Sequence, residues 1–192
     1  MNGNLRDFVF RGFLGVHACR DMQTQGLLHQ PLSSVSQRHD IDLLAPIQES
    51  VRNAALQMQR AYLLLFTLEN IVRELITSRL EESNGADWFE KCATNQMKTK
   101  VTDRKQKEDR DLWHTGRNKL PIYYLDFGDL SKLIVNNWLQ FEDLLLPGQP
   151  WVQARLDEAE KSRNVIAHTN VLAPEEVDRL EMYLTDWMKQ IG

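Results

Sequence analysis

The sequence predicts an all-α protein: a helical bundle of four to five main helices over residues 46–192, preceded by a short, partly irregular extension over 1–45. Three observations carry this reading. Between Pro46 and Gly85 no glycine or proline interrupts a run whose apolar residues recur at helical spacing. Near the C-terminus, Val177, Leu180, Leu184, Trp187 and Ile191 form an i, i+3, i+4 stripe. Period-two alternation, the mark of half-buried strands, is almost absent.

Residues 1–45 carry scattered apolar residues and the polar stretch Ser33–His39, with no period sustained enough to define an element. From Pro46, a residue suited to a first helical turn, Val51, Ala55, Met58, Tyr62, Leu65, Val72 and Ile76 predict one long helix over about 46–82. Its middle, Ala61–Phe66, is apolar on every side, which predicts cover from several neighbours. After Asn84-Gly85, helix-compatible sequence runs from Trp88 through Lys107. Gly116, Pro121 and Gly128 mark a loop. Asp126-Phe127-Gly128-Asp129 reads as a turn with Asp129 as N-cap, and Leu130, Leu133, Ile134 and Trp138 predict a short helix. Beyond Pro147-Gly148-Gln149-Pro150, a helix is expected over about 150–168. Pro174 opens the last one, with Glu175 and Glu176 where the helix dipole favours anions.

Composition narrows the function classes. The formal charge is −4, which argues against a chain-wide basic coat for duplex DNA. Two cysteines cannot build a disulfide framework or a four-cysteine zinc site, and they fit a reducing compartment. No apolar run reaches the ~18 residues of a membrane span. Arg11 interrupts the apolar N-terminal residues, so a cytoplasmic protein without a signal peptide or membrane anchorage is expected. His39-Asp40-Ile41-Asp42 is read as a solvated loop rather than a metal site, and no phosphate-cradling glycine loop, GxSxG or HExxH is present.

The informative segment is Arg163-Asn164-Val165-Ile166-Ala167-His168. On a helix at about 100° per residue, Val152, Leu156, Ala159 and Ile166 define an apolar face, and Arg163 falls inside it. A buried unpaired guanidinium is costly, so Arg163 is expected to have a partner or to face a cleft. Asn164 and His168 share another face. Arg163 and His168 lie about 140° apart around the axis, so either the last turn unwinds or a second copy completes the site. His168 sits near a helix C-terminus, where a histidine is placed for proton transfer near neutral pH. In the long helix Glu69 interrupts the apolar stripe much as Arg163 does, and the two are expected to approach each other, either as a buried pair fixing helix register or with a catalytic duty.

These residues resemble a known family. Arg163-Asn164-x-x-x-His168 near the end of a bundle helix resembles the Arg-x(4–6)-His motif of the HEPN superfamily. Leu68-Glu69-Asn70-Ile71-Val72-Arg73-Glu74-Leu75-Ile76 resembles its first helix. Tyr124–Leu130 followed by Asn137–Phe141 is similar to one bacterial HEPN subgroup, and Leu172–Val177 to the start of the helix after the motif. The resemblance spans roughly residues 50–190. The six-residue motif is moderately specific alone and much more so in this order. It implies an all-α bundle, a homodimer joined through the helix carrying Arg163 and His168, and metal-independent cleavage of RNA with no cofactor. The implied setting is toxin–antitoxin or anti-phage defence, with an antitoxin or defence-system partner. Arg163, Asn164 and His168 would be catalytic and Glu69 supporting. The alternatives are a non-catalytic HEPN module that binds RNA, a nucleotide or a partner protein, and a plain helical interaction domain.

A basic stretch could guide RNA. Lys98, Lys100, Arg104, Lys105 and Lys107, with Arg110, Arg117 and Lys119, face only Asp103, Glu108, Asp109 and Asp111, and Trp113 and His114 are available for stacking. The alternative is a solvated helix face of mixed charge.

Overall fold

The computed structural model describes residues 44–110 and 113–191. The expectations for residues 1–43, including His39–Asp42, lie outside the described residues. The described residues from Asn53 onward form one compact unit, which holds the motif residues.

Six α-helices are described: α1 Glu49–Asn84, α2 Trp88–Cys92, α3 Asn95–Glu108, α4 Phe127–Asn136, α5 Gln149–Ala167 and α6 Pro174–Ile191. Short 3-10 turns occupy Pro121–Tyr124 and Trp138–Gln140, and no strand occurs among the described residues. The all-α expectation holds.

The boundaries show where local chemistry departs from the sequence reading. Helix α1 starts at Glu49, and Pro46 belongs to the turn before it rather than to its first turn. It ends at Gly85, whose φ of +78° suits glycine and whose N–H reaches Glu81 O at 2.8 Å. The helix-compatible stretch from Trp88 through Lys107 forms two helices. Ala93 and Thr94 are extended, and the Thr94 hydroxyl accepts the Met97 N–H at 3.3 Å, starting a new helix. Helix α4 has Asp126, not Asp129, as its N-cap. Asp129 sits at the third helical position and its carboxylate accepts the Asp126 N–H at 3.2 Å. Trp138 lies beyond α4 because Asn137 leaves the helix (φ −117°, ψ 34°) and its side-chain amide donates to Leu133 O at 2.8 Å and Cys92 O at 3.3 Å.

The core is one cluster. From α1 it takes Ala61, Leu64, Leu65, Leu68, Val72, Ile76 and Leu80. Phe127, Leu130, Leu133 and Ile134 enter from α4, Val152, Leu156 and Ala159 from α5, and Val177, Leu180, Tyr183 and Trp187 from α6. The indole of Trp187 stacks at a tilt on Trp151, centroids 5.4 Å apart. The cover expected from several neighbours over Ala61–Phe66 reaches one side only: Ala61, Leu64 and Leu65 are buried, whereas Tyr62, Leu63 and Phe66 are 61%, 62% and 55% exposed. The stripe through Tyr62 is therefore displaced toward Ala61, Leu64 and Leu68. Leu68 is fully buried at the centre of that face, so Leu68→Ala is expected to cost about 2–5 kcal/mol in urea unfolding.

Candidate functional site

Helix α5 carries the motif in its last turn and a half. Its apolar face, Val152, Leu156 and Ala159, is buried, and Val165 and Ile166 are partly buried against the core. Continuing this face brings Arg163 to the core's edge, where its side chain is 39% exposed. Asp126 is the partner that half-burial demands. Arg163 Nη2 lies 3.4 Å from Asp126 Oδ1, and Nη1 donates to Asn164 Oδ1 at 3.1 Å.

Asp126 is the hub of a larger charge cluster. Arg104 from α3 grips it with both Nη atoms, at 3.1 and 2.8 Å, and also donates to Tyr124 O at 2.5 Å. Lys100 Nζ is 2.5 Å from Asp129 and 3.6 Å from Asp126. Two acidic residues at the start of α4 thus hold three cations from α3 and α5. Burial works to raise the Asp126 pKa, but the Arg104 hydrogen bond, with the charges of Arg104, Lys100 and Arg163, keeps it below the usual carboxylate value. The same hydrogen bond raises the Arg104 pKa.

The expected approach of Glu69 and Arg163 takes a different form. The Glu69 carboxylate pairs with Arg73, one helical turn on, at 2.5 Å, and Arg163 pairs with Asp126. Four-residue spacing on one helix brings Arg73 to Glu69 before any other element can. Arg73 also donates to Leu125 O at 3.3 Å and lies over the Tyr123 ring, 5.0 Å from its centroid. Glu69 remains within electrostatic reach of Arg163. Burial pushes its pKa up, against the pull of Arg73 and Arg163, and the charge of Asp126 adds to the rise. Burial likewise lowers the Arg73 pKa.

His168 ends the helix. It is the C-cap (φ −94°, ψ 18°), its N–H bonds to Asn164 O at 3.2 Å, and it is exposed. Thr169 N–H bonds to Ile166 O at 2.9 Å and Asn170 N–H to Val165 O at 3.1 Å, the two bonds of a Schellman motif. The left-handed position that closes the helix falls on Thr169, at φ +56°. A β-branched residue is strained there, at about 1–2 kcal/mol. Thr169→Gly is expected to relieve the strain and raise stability by about 1 kcal/mol, read as an increase in Tm. Among the described residues the His168 imidazole has no hydrogen-bond partner.

The order of these pieces is that of a known helical family. A family model for Swt1-like HEPN domains matches residues 64–192, two thirds of the chain. The chain belongs to the HEPN superfamily. No curated protein and no solved structure matches it.

Within this HEPN bundle, the five basic residues singled out from sequence separate into two groups. Lys98 is engaged with Glu90, donating to its backbone oxygen at 2.5 Å and lying 3.4 Å from its carboxylate. Lys100 and Arg104 belong to the Asp126 cluster. Lys105 lies over the Tyr124 ring at 5.4 Å, and Lys107 is exposed. Neither has a carboxylate partner among the described residues. A surface cleft lined by Arg104, Lys107, Glu108, His114 and Arg117 opens beside them. Its Glu108 is occupied by Arg117 and by the Tyr124 hydroxyl, which donates at 3.0 Å. Trp113 is 96% exposed. The basic stretch and the motif are thus joined through Arg104 and Asp126, a link that spacing did not reveal.

Asp126 and Arg73 were not chosen from sequence as site residues. The signal for Arg73 was available, four residues after Glu69 on one helix. The signal for Asp126 was not, because its partners come from α3 and α5.

Among the described residues no helix is long and apolar enough to cross a membrane.

Proposed function

We propose that this HEPN domain is a metal-independent endoribonuclease that cuts RNA by attack of the 2′-hydroxyl on the adjacent phosphate. The observation that carries the reading is that one helix end holds an exposed His168, whose imidazole has no hydrogen-bond partner among the described residues, and, five residues before it, the Arg163 guanidinium held at the core's edge by Asp126 and Asn164. In this reading His168 moves a proton to or from the 2′-hydroxyl or the leaving 5′-oxygen. Arg163 holds the scissile phosphate and stabilises the charge that builds on it. Asn164 keeps Arg163 oriented, and Glu69 supports the cluster through Arg73. Lys105 and Lys107, with the cleft at His114 and Arg117, contact the phosphates upstream or downstream.

The site is completed by a second copy meeting the first along α5, an isologous contact that brings two motifs together. The wheel geometry supports this, since Arg163 and His168 diverge by about 140° on one helix. The setting is cytoplasmic toxin–antitoxin or anti-phage defence, with a partner protein that restrains the activity.

A second reading, a non-catalytic HEPN module that binds RNA, a nucleotide or a partner, is favoured by one observation: Arg163 is already neutralised by Asp126. The two separate in one assay. Wild type and His168→Ala are incubated with mixed RNAs in EDTA and the product ends are read. Wild type alone should yield 2′,3′-cyclic phosphate ends and leave DNA intact. No cleavage by wild type, from a verified dimer, rejects the ribonuclease reading in favour of the binding module.

A further inference from the structure

The exposed aromatic pair on α1 is not used by the mechanism above. Tyr62 and Phe66 are 61% and 55% exposed, with ring centroids 6.0 Å apart and planes 33° from parallel. At about 100° per residue, Tyr62, Phe66, Glu69 and Arg73 fall within about 60° on one flank of α1. The aromatic surface therefore runs directly into the charged cluster.

Two contacts fix its level against α5. At one end, Leu172 N–H lies 3.2 Å from the Met58 sulfur, and Gln57 Nε2 donates to Leu172 O at 3.2 Å. At the other end, Arg73, paired with Glu69, donates to Leu125 O at 3.3 Å, next to Asp126, the partner of Arg163. The segment Arg163–Leu172 thus runs antiparallel to Met58–Glu69. His168 falls between the ends of the first segment, and Tyr62 and Phe66 between the ends of the second.

We propose that Tyr62 and Phe66 form a stacking platform for an unpaired nucleobase of an RNA strand whose phosphate is held by Arg163. This rests on the ribonuclease reading for the strand's chemistry, but its test does not require cleavage. Aromatic faces accept any base, so the platform supplies affinity without a sequence code. A protein occupant fits this flank less well. An apolar surface broad enough to cover the rings would extend onto Glu69 and Arg73, which share their flank of the helix, and desolvate charges for which it brings no partners. A nucleotide brings an apolar base to the rings and an anion to the cations.

The test uses the full chain and a short oligoadenylate with 2′-O-methyl riboses, which 2′-hydroxyl attack cannot cut. Binding is read by fluorescence anisotropy at low salt, and oligomeric state by sedimentation velocity. Phe66→Leu and Tyr62→Leu keep apolar bulk at surface positions while removing the π-face. Each is expected to weaken binding about tenfold, the fold-change matching about 1.4 kcal/mol of stacking. An abasic nucleotide at the stacked position should abolish the difference between wild type and variant. Unchanged affinity in both variants, or no binding by wild type, overturns the proposal. So does a wild-type dimer that the leucine variants dissolve, which would make the pair a seam between copies. If the platform binds but wild type leaves unmodified RNA uncut, the ribonuclease reading alone fails. Cleavage with unaltered affinity in the variants rejects the platform alone.

Discussion

On the ribonuclease reading proposed above, His168→Ala is expected to slow RNA cleavage by about 10²–10⁴-fold, the usual contribution of a positioned acid or base, while leaving the fold intact. The second half follows from the geometry. His168 is exposed at the helix end, its ring has no hydrogen-bond partner among the described residues, and the bonds closing the helix come from backbone groups of His168, Thr169 and Asn170. Alanine retains all of them, so stability should move by no more than about 0.5 kcal/mol. Product formation and thermal unfolding, measured on the same preparation, check both halves. A large fall in Tm would instead mark His168 as a structural cap.

Asp126→Asn carries the second large effect. One carboxylate accepts from Arg104 twice, from Arg163 once, and has Lys100 near it. Removing its charge leaves Arg104 and Arg163 without a paired carboxylate among the described residues and Lys100 with Asp129 alone. A fully buried pair broken this way costs roughly 3–5 kcal/mol. This side chain is 22% exposed, so about 2 kcal/mol is expected. The pH dependence has a definite sign. Burial raises the Asp126 pKa, but the Arg104 hydrogen bond and the surrounding cations outweigh it, so the folded value lies below the ordinary 3.8. The charged form is therefore favoured by folding. Its stabilisation is fully present above 3.8 and lost as pH falls through the folded value. Denaturant melts should show the gap between wild type and Asp126→Asn constant at neutral pH and closing only below that point. A gap that widened on acidification would contradict the assignment.

What the sequence made legible was periodic or contiguous. Helix α6 and the motif helix could be read because their apolar spacing and the Arg163–His168 interval are local. Helix α1 was read with its apolar face displaced, since a run such as Ala61–Phe66 does not say which side a single chain covers. The break at Thr94 had a local signal, a good N-cap residue, outweighed by the helical propensity around it. Asp126 and Asp129 were ambiguous for a physical reason: both can cap, they stand three residues apart, and each occupies a role in one N-terminal turn. The charge cluster was illegible because Arg104, Asp126 and Arg163 meet only after α3, α4 and α5 have packed. Glu69 and Arg163 were legible as charges that each interrupt an apolar stripe. Their partners depended on tertiary contacts and on Arg73.

The cluster also sets the ionic character of anything that binds there. Arg104, Lys100 and Arg163 carry internal counterions in Asp126 and Asp129, so few small ions are condensed on them in solution. An anionic strand arriving at these residues exchanges a phosphate for a carboxylate and releases little salt. Its affinity should therefore fall with ionic strength less steeply than a count of the basic side chains implies, with Lys105 and Lys107 supplying most of the slope.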